Sequence, residues 1–500
     1  MSAFTWMITL PLLASPVVYL AGRISRRRNW DVGMISHWLA FWALAATWIP
    51  FALAASDLDK NGPDTFQVGQ IALRLDDIGL LLAGLSLGLG TLVVLYSGPY
   101  ISPDHGREKY HSLLVAMVGV MMGLGCAHDL FNLWVWFEAM AISSFLLVAF
   151  YHEQAASLEA GVKYVVQSAV GSALVLMGIA LVLAQTGTLD LDKIRLAADD
   201  SNMLLAAGAL FVIGFGVKTA MVPMHTWLPD AHSQAPSGIS AMLSGVVIEA
   251  GLIALLRSLS ALAGVTPTWG ELLMAFGVLN MTVGNLMALR QTQVKRLLAY
   301  SSLSHVGYML LGLGIALYAQ DASGAQGSFF HMLNHGLMKG LAFLAAGAFL
   351  YALHVASGDH SPLLISDLSG AAKSYPMMAL GLSLAVLSLG GLPPFAGFMS
   401  KWQIFAAGFE THNGWIQALV IFAALNSVLS LAYYAPLVNT LYRQSASPLV
   451  QHGHPLSIWI CIPVMILTAS VIAVGIWPGL FNWLSDPAGS ALLAAFGLGG

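Results

Sequence analysis

The sequence predicts an all-α polytopic membrane protein, on three observations. The 500 residues are 58% hydrophobic and only 9% charged, against roughly 25% charged in soluble domains. The apolar residues gather into stretches of about 20, the length that crosses a bilayer as a helix. Ionisable residues lie inside several of these stretches, where they are expensive and mark ion pathways. A net charge of −4 with no basic patch gives no sign of a nucleic-acid partner.

Fourteen spans are expected. The first two, 4–21 and 33–55, are separated by Arg23, Arg26, Arg27 and Arg28. The stretch 4–21 lacks the positively charged start of a signal peptide and has about the length of a span, so it counts as a helix. The third to sixth are 77–98, 111–127, 130–151 and 159–185. The seventh, 203–228, is broken at Pro223, and the eighth is 235–263. The ninth to eleventh are 271–289, 297–318 and 327–354. The twelfth, 376–411, is too long for one pass and is interrupted at GGLPPFAG, residues 390–397. The last two are 414–441 and 456–483. Breaks at corresponding places suggest repeats. The expected organisation is a three-helix segment, 1–110, a first repeat of helices 4–8, 111–263, a second of helices 9–13, 271–441, and a C-terminal helix with tail, 442–500.

Loop charges orient this chain. Alternate loops carry Arg23 to Arg28, Arg107 and Lys109, then Arg290, Lys295 and Arg296, then Lys373, then Arg443. The opposite loops mix Lys60, Arg74, Lys193 and Arg195 with many acids, among them Asp57, Asp59, Asp190 and Asp192. The positive-inside rule puts the first set in the cytoplasm and both termini outside. The expected location is a bacterial inner membrane. No loop is long enough for a soluble domain, so the chemistry lies in the membrane or on a partner.

Glu138, Lys218, Glu249, Lys339 and Lys401 sit within expected spans. Each costs roughly 2.5–3.5 kcal/mol on insertion scales, so they must face the bundle interior, paired or wetted. Static pairing between helices is the plain reading. A proton relay is the functional one: a buried amine whose carboxylate partner can move away switches between holding and releasing a proton. Glu138 and Lys218 are the expected switch. Lys218 precedes the first break and Lys401 follows the second. Freed backbone groups at each break need water or protein partners, so each break should line a cavity.

His331, His335 and Lys339 recur at a spacing of four and share a helix face, a further relay. The His pair lacks a third ligand nearby in sequence, so no metal is expected. His225 and His232 flank WLPDA, where they either line a water entrance or cap helix ends. Lys163 begins a span and either snorkels or takes part in the relay. Lys295 and Arg296 are explained by topology, and His305, deeper on that helix, is a weaker relay candidate. Cys126 and Cys461 stand alone in apolar segments without a CxxC or Cys/His grouping, so no iron–sulfur cluster or structural zinc is expected. GLSLGLG at 84–90 lies in a span and reads as helix packing. No cofactor is expected in this chain.

The segment VKTAMVPMHTWLPDAHSQAPSGISAMLSG, with LWVWFE, KRLLAYSSLSHVGYM, HMLNHGLMKGLAFLAAG and GLPPFAGFMSKW, resembles one family closely over about residues 70–440. It is that of the antiporter-like membrane subunits shared by respiratory complex I, Mrp sodium/proton antiporters and membrane-bound hydrogenases. The resemblance implies 14 core helices, two inverted five-helix repeats and a polar axis across the membrane centre. Glu138 and Lys218 match the family's Glu–Lys pair of the first half-channel. Lys401 matches the terminal Lys of the second, and His335 and Lys339 match connecting residues. Glu249 departs from the pattern, since family members commonly have Lys or His there. It binds sodium, pairs with Lys218 or Lys339, or marks a divergent branch. Length and motifs suit the M and N subunits of complex I and equally the D-type subunit of Mrp, while HGLMKGLAFL leans toward Mrp or hydrogenase-type members.

The expected function is therefore a proton-translocating subunit of a complex I-like or Mrp-like assembly. Its expected partners are other membrane subunits, soluble redox subunits, the lipid bilayer and protons or sodium. The alternatives are a gradient-driven sodium/proton antiporter component, a subunit of a hydrogenase-type complex and a membrane anchor with relic charges.

Overall fold

In a computed structural model, residues 2–28, 32–69, 71–102, 104–359 and 361–498 are described. Long apolar helices dominate, as expected. They are α1 (Ala3–Arg27), α2 (Val32–Asn61), α3 (Asp77–Tyr100), α4 (Arg107–Gly125), α5 (Leu130–Val148) and α6 (Ala155–Thr186). Helix 7 is split into α7a (Asn202–Lys218) and α7b (Trp227–Gln234). Then come α8 (Ser237–Ala261), α9 (Trp269–Ala288), α10 (Val294–Ala319) and α11 (Ala322–Leu353). Helix 12 is split into α12a (Pro376–Leu389) and α12b (Ala396–Glu410), before α13 (Gly414–Leu441) and α14 (Ile458–Ile476).

Eleven of these helices are long and apolar enough to cross a membrane, and two shorter apolar ones, α7a and α12a, open the two breaks. The figure of 14 adds both broken helices and the less apolar α4. Two elements fall outside the sequence reading. The expected last span ends at Ile476, and a separate helix, α15 (Asn482–Ala495), folds back against α3, α8 and α11. Before α3, strands Asp64–Val68 and Ile71–Leu75 form an antiparallel hairpin with Asp64 opposite Leu75.

Helix starts follow ordinary capping rules. The side chains of Asp76, Asp129, Ser201, Asp321 and Asn413 each accept a bond from a backbone N–H of the first turn. Between helices, small residues set the spacing: a Cβ added at Gly277 of α9 would stand 2.8 Å from the carbonyl of Gly307 on α10, so the two backbones touch.

The most enclosed helices are α8, α10 and α11, while α1, α2, α6 and α13 present broad apolar faces outward. Hydrocarbon gives no hydrophobic reward for hiding apolar side chains. What must be enclosed is polar, and the three enclosed helices carry Glu249, His305, His331, His335 and Lys339. Counted in the five-helix sets expected from the sequence, α4–α8 and α9–α13, each break falls at the fourth position.

Candidate functional site: a polar line between two helix breaks

At the first break, Lys218 is the last residue of α7a and is buried. Its Nζ donates to the Tyr164 hydroxyl at 2.8 Å and lies 4.4 Å from that ring's centre. Tyr164 also bonds Ser144 at 2.9 Å. The Tyr164 ring stacks on Trp227 at 4.0 Å, and Trp227 donates to the Val217 carbonyl at 2.7 Å. Helix α7b thus returns over the ammonium as a lid.

The broken backbone is satisfied from α9. Asn280 Oδ1 accepts from Val222 N at 2.8 Å, and its Nδ2 donates to the Ala220 carbonyl at 3.3 Å. Ala220 holds a φ of 57°, which a non-glycine residue keeps only when its surroundings hold it there.

The expected Glu138–Lys218 ion pair is not formed in this structure. Glu138 is half-buried on α5, and its Oε1 is buried without a hydrogen-bond partner. Tyr164 holds the Lys218 ammonium instead. A hydroxyl can do so because it accepts without bringing a second charge into the bilayer.

At the second break the plan repeats with different side chains. Lys401 Nζ donates to the Leu389 carbonyl and to Ser427 Oγ, both at 2.9 Å, and lies 4.4 Å from the centre of the Tyr308 ring. Asn334 of α11 donates to the Ala396 carbonyl at 3.0 Å. Gly391 takes the left-handed turn here, at φ 79°.

Between the breaks runs a line of imidazoles. Glu249 Oε1 meets His335 Nδ1 at 2.8 Å, with both residues fully enclosed. That contact replaces the expected partners of Glu249, Lys218 and Lys339. His335 lies beside His305, with ring centres 5.3 Å apart. His305 Nδ1 meets His331 Nε2 at 3.0 Å, and His331 Nδ1 meets Ser400 Oγ at 2.8 Å. Ser400 immediately precedes Lys401. The line therefore runs Glu249, His335, His305, His331, Ser400, Lys401, through α8, α11, α10 and α12b.

Glu249 Oε2 and His335 Nε2 are buried and without partners. A π-helical turn, Leu243–Val247, ends two residues before Glu249 in α8. Such a turn adds a residue to the helical count and re-aims the side chains after it.

Lys339 stands to one side. It donates to the Leu298 carbonyl at 2.7 Å and to Ser301 Oγ at 2.5 Å, and Ser301 bonds Tyr434. His331, His335 and Lys339 do share a face of α11, yet the first two turn toward the line and the third toward α10.

The outlying candidates separate. His232 is buried, has no partner at either ring nitrogen and stacks on Phe343 at 4.7 Å. His225 is half-buried and its Nδ1 lacks a partner. Lys163 is exposed, pairing with Glu159 at 2.7 Å and with Asp230 at 3.0 Å, and Asp230 also takes Arg296 at 2.6 Å. Burial alone would raise the Asp230 carboxyl, but the Lys163 and Arg296 cations outweigh it and hold the carboxyl below its ordinary value. That cluster straps α7b to α6 and α10 at the surface, away from the line. Among the described residues, no three His, Cys, Asp or Glu converge on a common point for a metal.

Reading the sequence missed Tyr164, Trp227, Asn280, Asn334, Ser400 and Ser427. A lone Asn inside an apolar stretch was a usable signal, because an amide there needs a partner. The hydroxyls carried none, since Ser and Thr bond their own helix at little cost.

Residues 127–429 match the family described as "NADH:quinone oxidoreductase/Mrp antiporter, TM". Among curated relatives, F(420)H(2) dehydrogenase subunit N of Methanosarcina mazei is 33% identical over 84% of this chain and 85% of the relative. NADH-quinone oxidoreductase subunit N of Trichlorobacter lovleyi is 34% identical over 76% and 75%. A chain of the membrane-bound sulfane sulfur reductase, an archaeal respiratory membrane complex, superposes with a TM-score of 0.86 at 28% identity, covering 99% of both chains. A chain of respiratory complex I from Thermus thermophilus gives 0.75 at 26%, covering 95% of this chain and 98% of that one. A chain of the Mrp complex from Dietzia sp. gives 0.86 with full coverage, and at 19% identity it speaks for the fold alone.

Proposed function

Because this chain belongs to the NADH:quinone oxidoreductase/Mrp antiporter transmembrane family, we propose that it carries protons from a cytoplasmic uptake site to the outside along the line from Lys218 to Lys401. It is an antiporter-like integral membrane subunit of the kind found in complex I, Mrp and hydrogenase-type assemblies, and it works with other membrane subunits. The carrying observation is the contact series from Glu249 through His335, His305 and His331 to Ser400 beside Lys401. Imidazole both takes and gives a proton, so a file of three is a conductor rather than a scaffold.

In this reading Lys218, Glu249, His335, His305, His331 and Lys401 exchange the proton. Glu138 sets the charge near Lys218, and Lys339 biases the line electrostatically. The arginine-rich end faces the cytoplasm, in a bacterial plasma membrane with both termini outside. A cleft lined by Tyr151, Gln154, Gln234, Gln293 and Lys295 opens at that end. With Ser233, next to His232 in the chain, on its wall, it is the assigned uptake side. At the other end a polar cavity lined by Tyr318, Asp321, Ser323, Glu410 and Asn413 lies beyond the end of α12b, on the Lys401 side. This chain is assigned no cofactor, and redox chemistry belongs to partner subunits.

The test is His331→Asn in the assembled complex, reconstituted in vesicles with a pH-sensitive dye. The substitution keeps a polar group but removes the proton carrier between His305 and Ser400. Expected is loss of most proton transport with assembly intact. Transport at the unaltered rate would overturn the reading.

A further inference from the structure

One ion pair, with its arginine buried and its carboxylate partly so, belongs to none of this. Arg257 of α8 is 7% exposed and grips Asp76, the N-cap of α3, with two bonds, 3.0 Å from Nη1 and 2.7 Å from Nη2. Nη2 also donates to the Gly125 carbonyl at the end of α4. Asp76 is held in turn by the Gly79 N–H at 2.8 Å. Three helices therefore meet on one guanidinium.

Its position is informative. Arg257 follows Glu249 by eight residues on the same helix, a rise of about 12 Å. Leu252, Ile253, Leu255 and Leu256 are buried between the two. Helix α8 passes the Lys218 break on the way: a Cβ on Gly251 would lie 3.1 Å from Lys218 Cβ. Outward of the pair, the strand Ile71–Leu75 crosses this end of the bundle, its Arg74 bound to Asp192 at 3.2 Å and His128 to the same oxygen at 3.1 Å. The pair thus lies between the proton line and the surface, at the end opposite the arginine-rich loops. At that same end the second half has the open polar cavity containing Asp321 and Glu410.

We propose that the Arg257–Asp76 pair is the outer seal of the first half, a fixed cation that keeps protons on the line from leaving there and commits them to an outlet in the second half. This rests on the proton-line reading above. The chemistry suits the task. A guanidinium does not deprotonate in proteins, so it cannot pass a proton on as Lys or His can. Its positive charge repels a hydronium, as fixed arginines do in selective pores. The Asp76 carboxylate neutralises it, which makes its burial bearable. A carboxylate alone would attract protons, and an apolar plug alone would resist them only by dryness.

The experiment uses the assembled complex in sealed vesicles, with an imposed pH gradient and no driving reaction. Arg257→Gln with Asp76→Asn removes both charges and keeps polarity and the Gly79 cap bond, with a shorter side chain at 257. Expected is passive proton leak at least tenfold above the unaltered complex. Arg257→Lys, which keeps the cation but can give up its proton, should leak less than the neutral double variant and more than the unaltered complex. Cys126, next to Gly125 and fully buried, should become reactive toward a small polar thiol reagent in the neutral double variant only. If that variant does not assemble, Arg257→Gln alone, which removes the cation, carries the leak and thiol expectations in its place. An assembled variant as tight as the unaltered complex overturns the seal and leaves the proton line standing. A leak that persists when Lys218→Ala is added also overturns it, because the escaping protons then do not come from the line.

Discussion

Glu249→Gln gives the sharpest test of the line, since the side chain is fully enclosed and one contact defines its role. In the structure Oε1 meets His335 Nδ1 at 2.8 Å, while Oε2 has no partner. Glutamine matches the shape and supplies either a donor or an acceptor to His335, so that contact survives. Its second polar group replaces an oxygen already unpartnered, and the stability change stays within about 1–3 kcal/mol. Transport is another matter. When His335 carries the proton, the Glu249 carboxylate is its counter-charge. Two unit charges about 4 Å apart attract by about 4 kcal/mol at an effective dielectric constant of 20. At about 1.4 kcal/mol per decade, losing that lowers the protonated His335 population by two to three decades. Expected, then, is proton transport reduced at least about a hundredfold in a complex that still assembles. The assay is dye-reported transport in proteoliposomes, with assembly checked on the same preparation. An assembled Gln variant that transports at the unaltered rate would refute the reasoning. Transport that is sodium-dependent before the change and not after it would reassign Glu249 to a cation site.

Lys218→Ala should leave the chain inserted and stop most transport, and Lys218→Arg should fail as well because a guanidinium holds its proton; full pumping by either assembled variant would count against Lys218 as a carrier. Glu138→Gln should slow transport more than Glu153→Gln in the exposed loop, and equal effects on the measured rate would remove Glu138 from the mechanism. Lys401→Ala should uncouple the second half, read as lost proton release on the outer side, whereas normal release would leave the line without its terminal carrier. Asn280→Ala removes both bonds to the first break and should destabilise the chain by about 1–3 kcal/mol, measured as a lowered thermal midpoint in detergent, with Lys218 chemistry impaired in proportion.

Composition and pattern were enough for the membrane class, the order of helices and both breaks. Apolar runs are long, and proline leaves a mark that neighbouring residues cannot hide. The ionisable groups of the line were equally legible, because a charge in an apolar stretch needs a reason wherever it points, while Arg257 near the end of its span was passed over. Two elements escaped. The hairpin before α3 is too short and mixed to announce itself. Helix α15 is cut off from α14 by Trp477 and Pro478, and its fold-back is a packing outcome.

Who meets whom was decided only in three dimensions. From sequence, Lys218 was assigned to Glu138 and Glu249 to a lysine, since opposite charges are the obvious partners. The folded chain gives Lys218 a tyrosine hydroxyl and Glu249 a histidine. His305, His331 and Ser400 come together from separate helices, and Arg257 finds Asp76 across more than a hundred residues of chain. In a bilayer the cost of burying an ionisable group is set by residue type and depth, which a sequence displays. The partner that offsets this cost is set by helix rotation and contact, and those depend on small residues and broken turns spread along the whole chain.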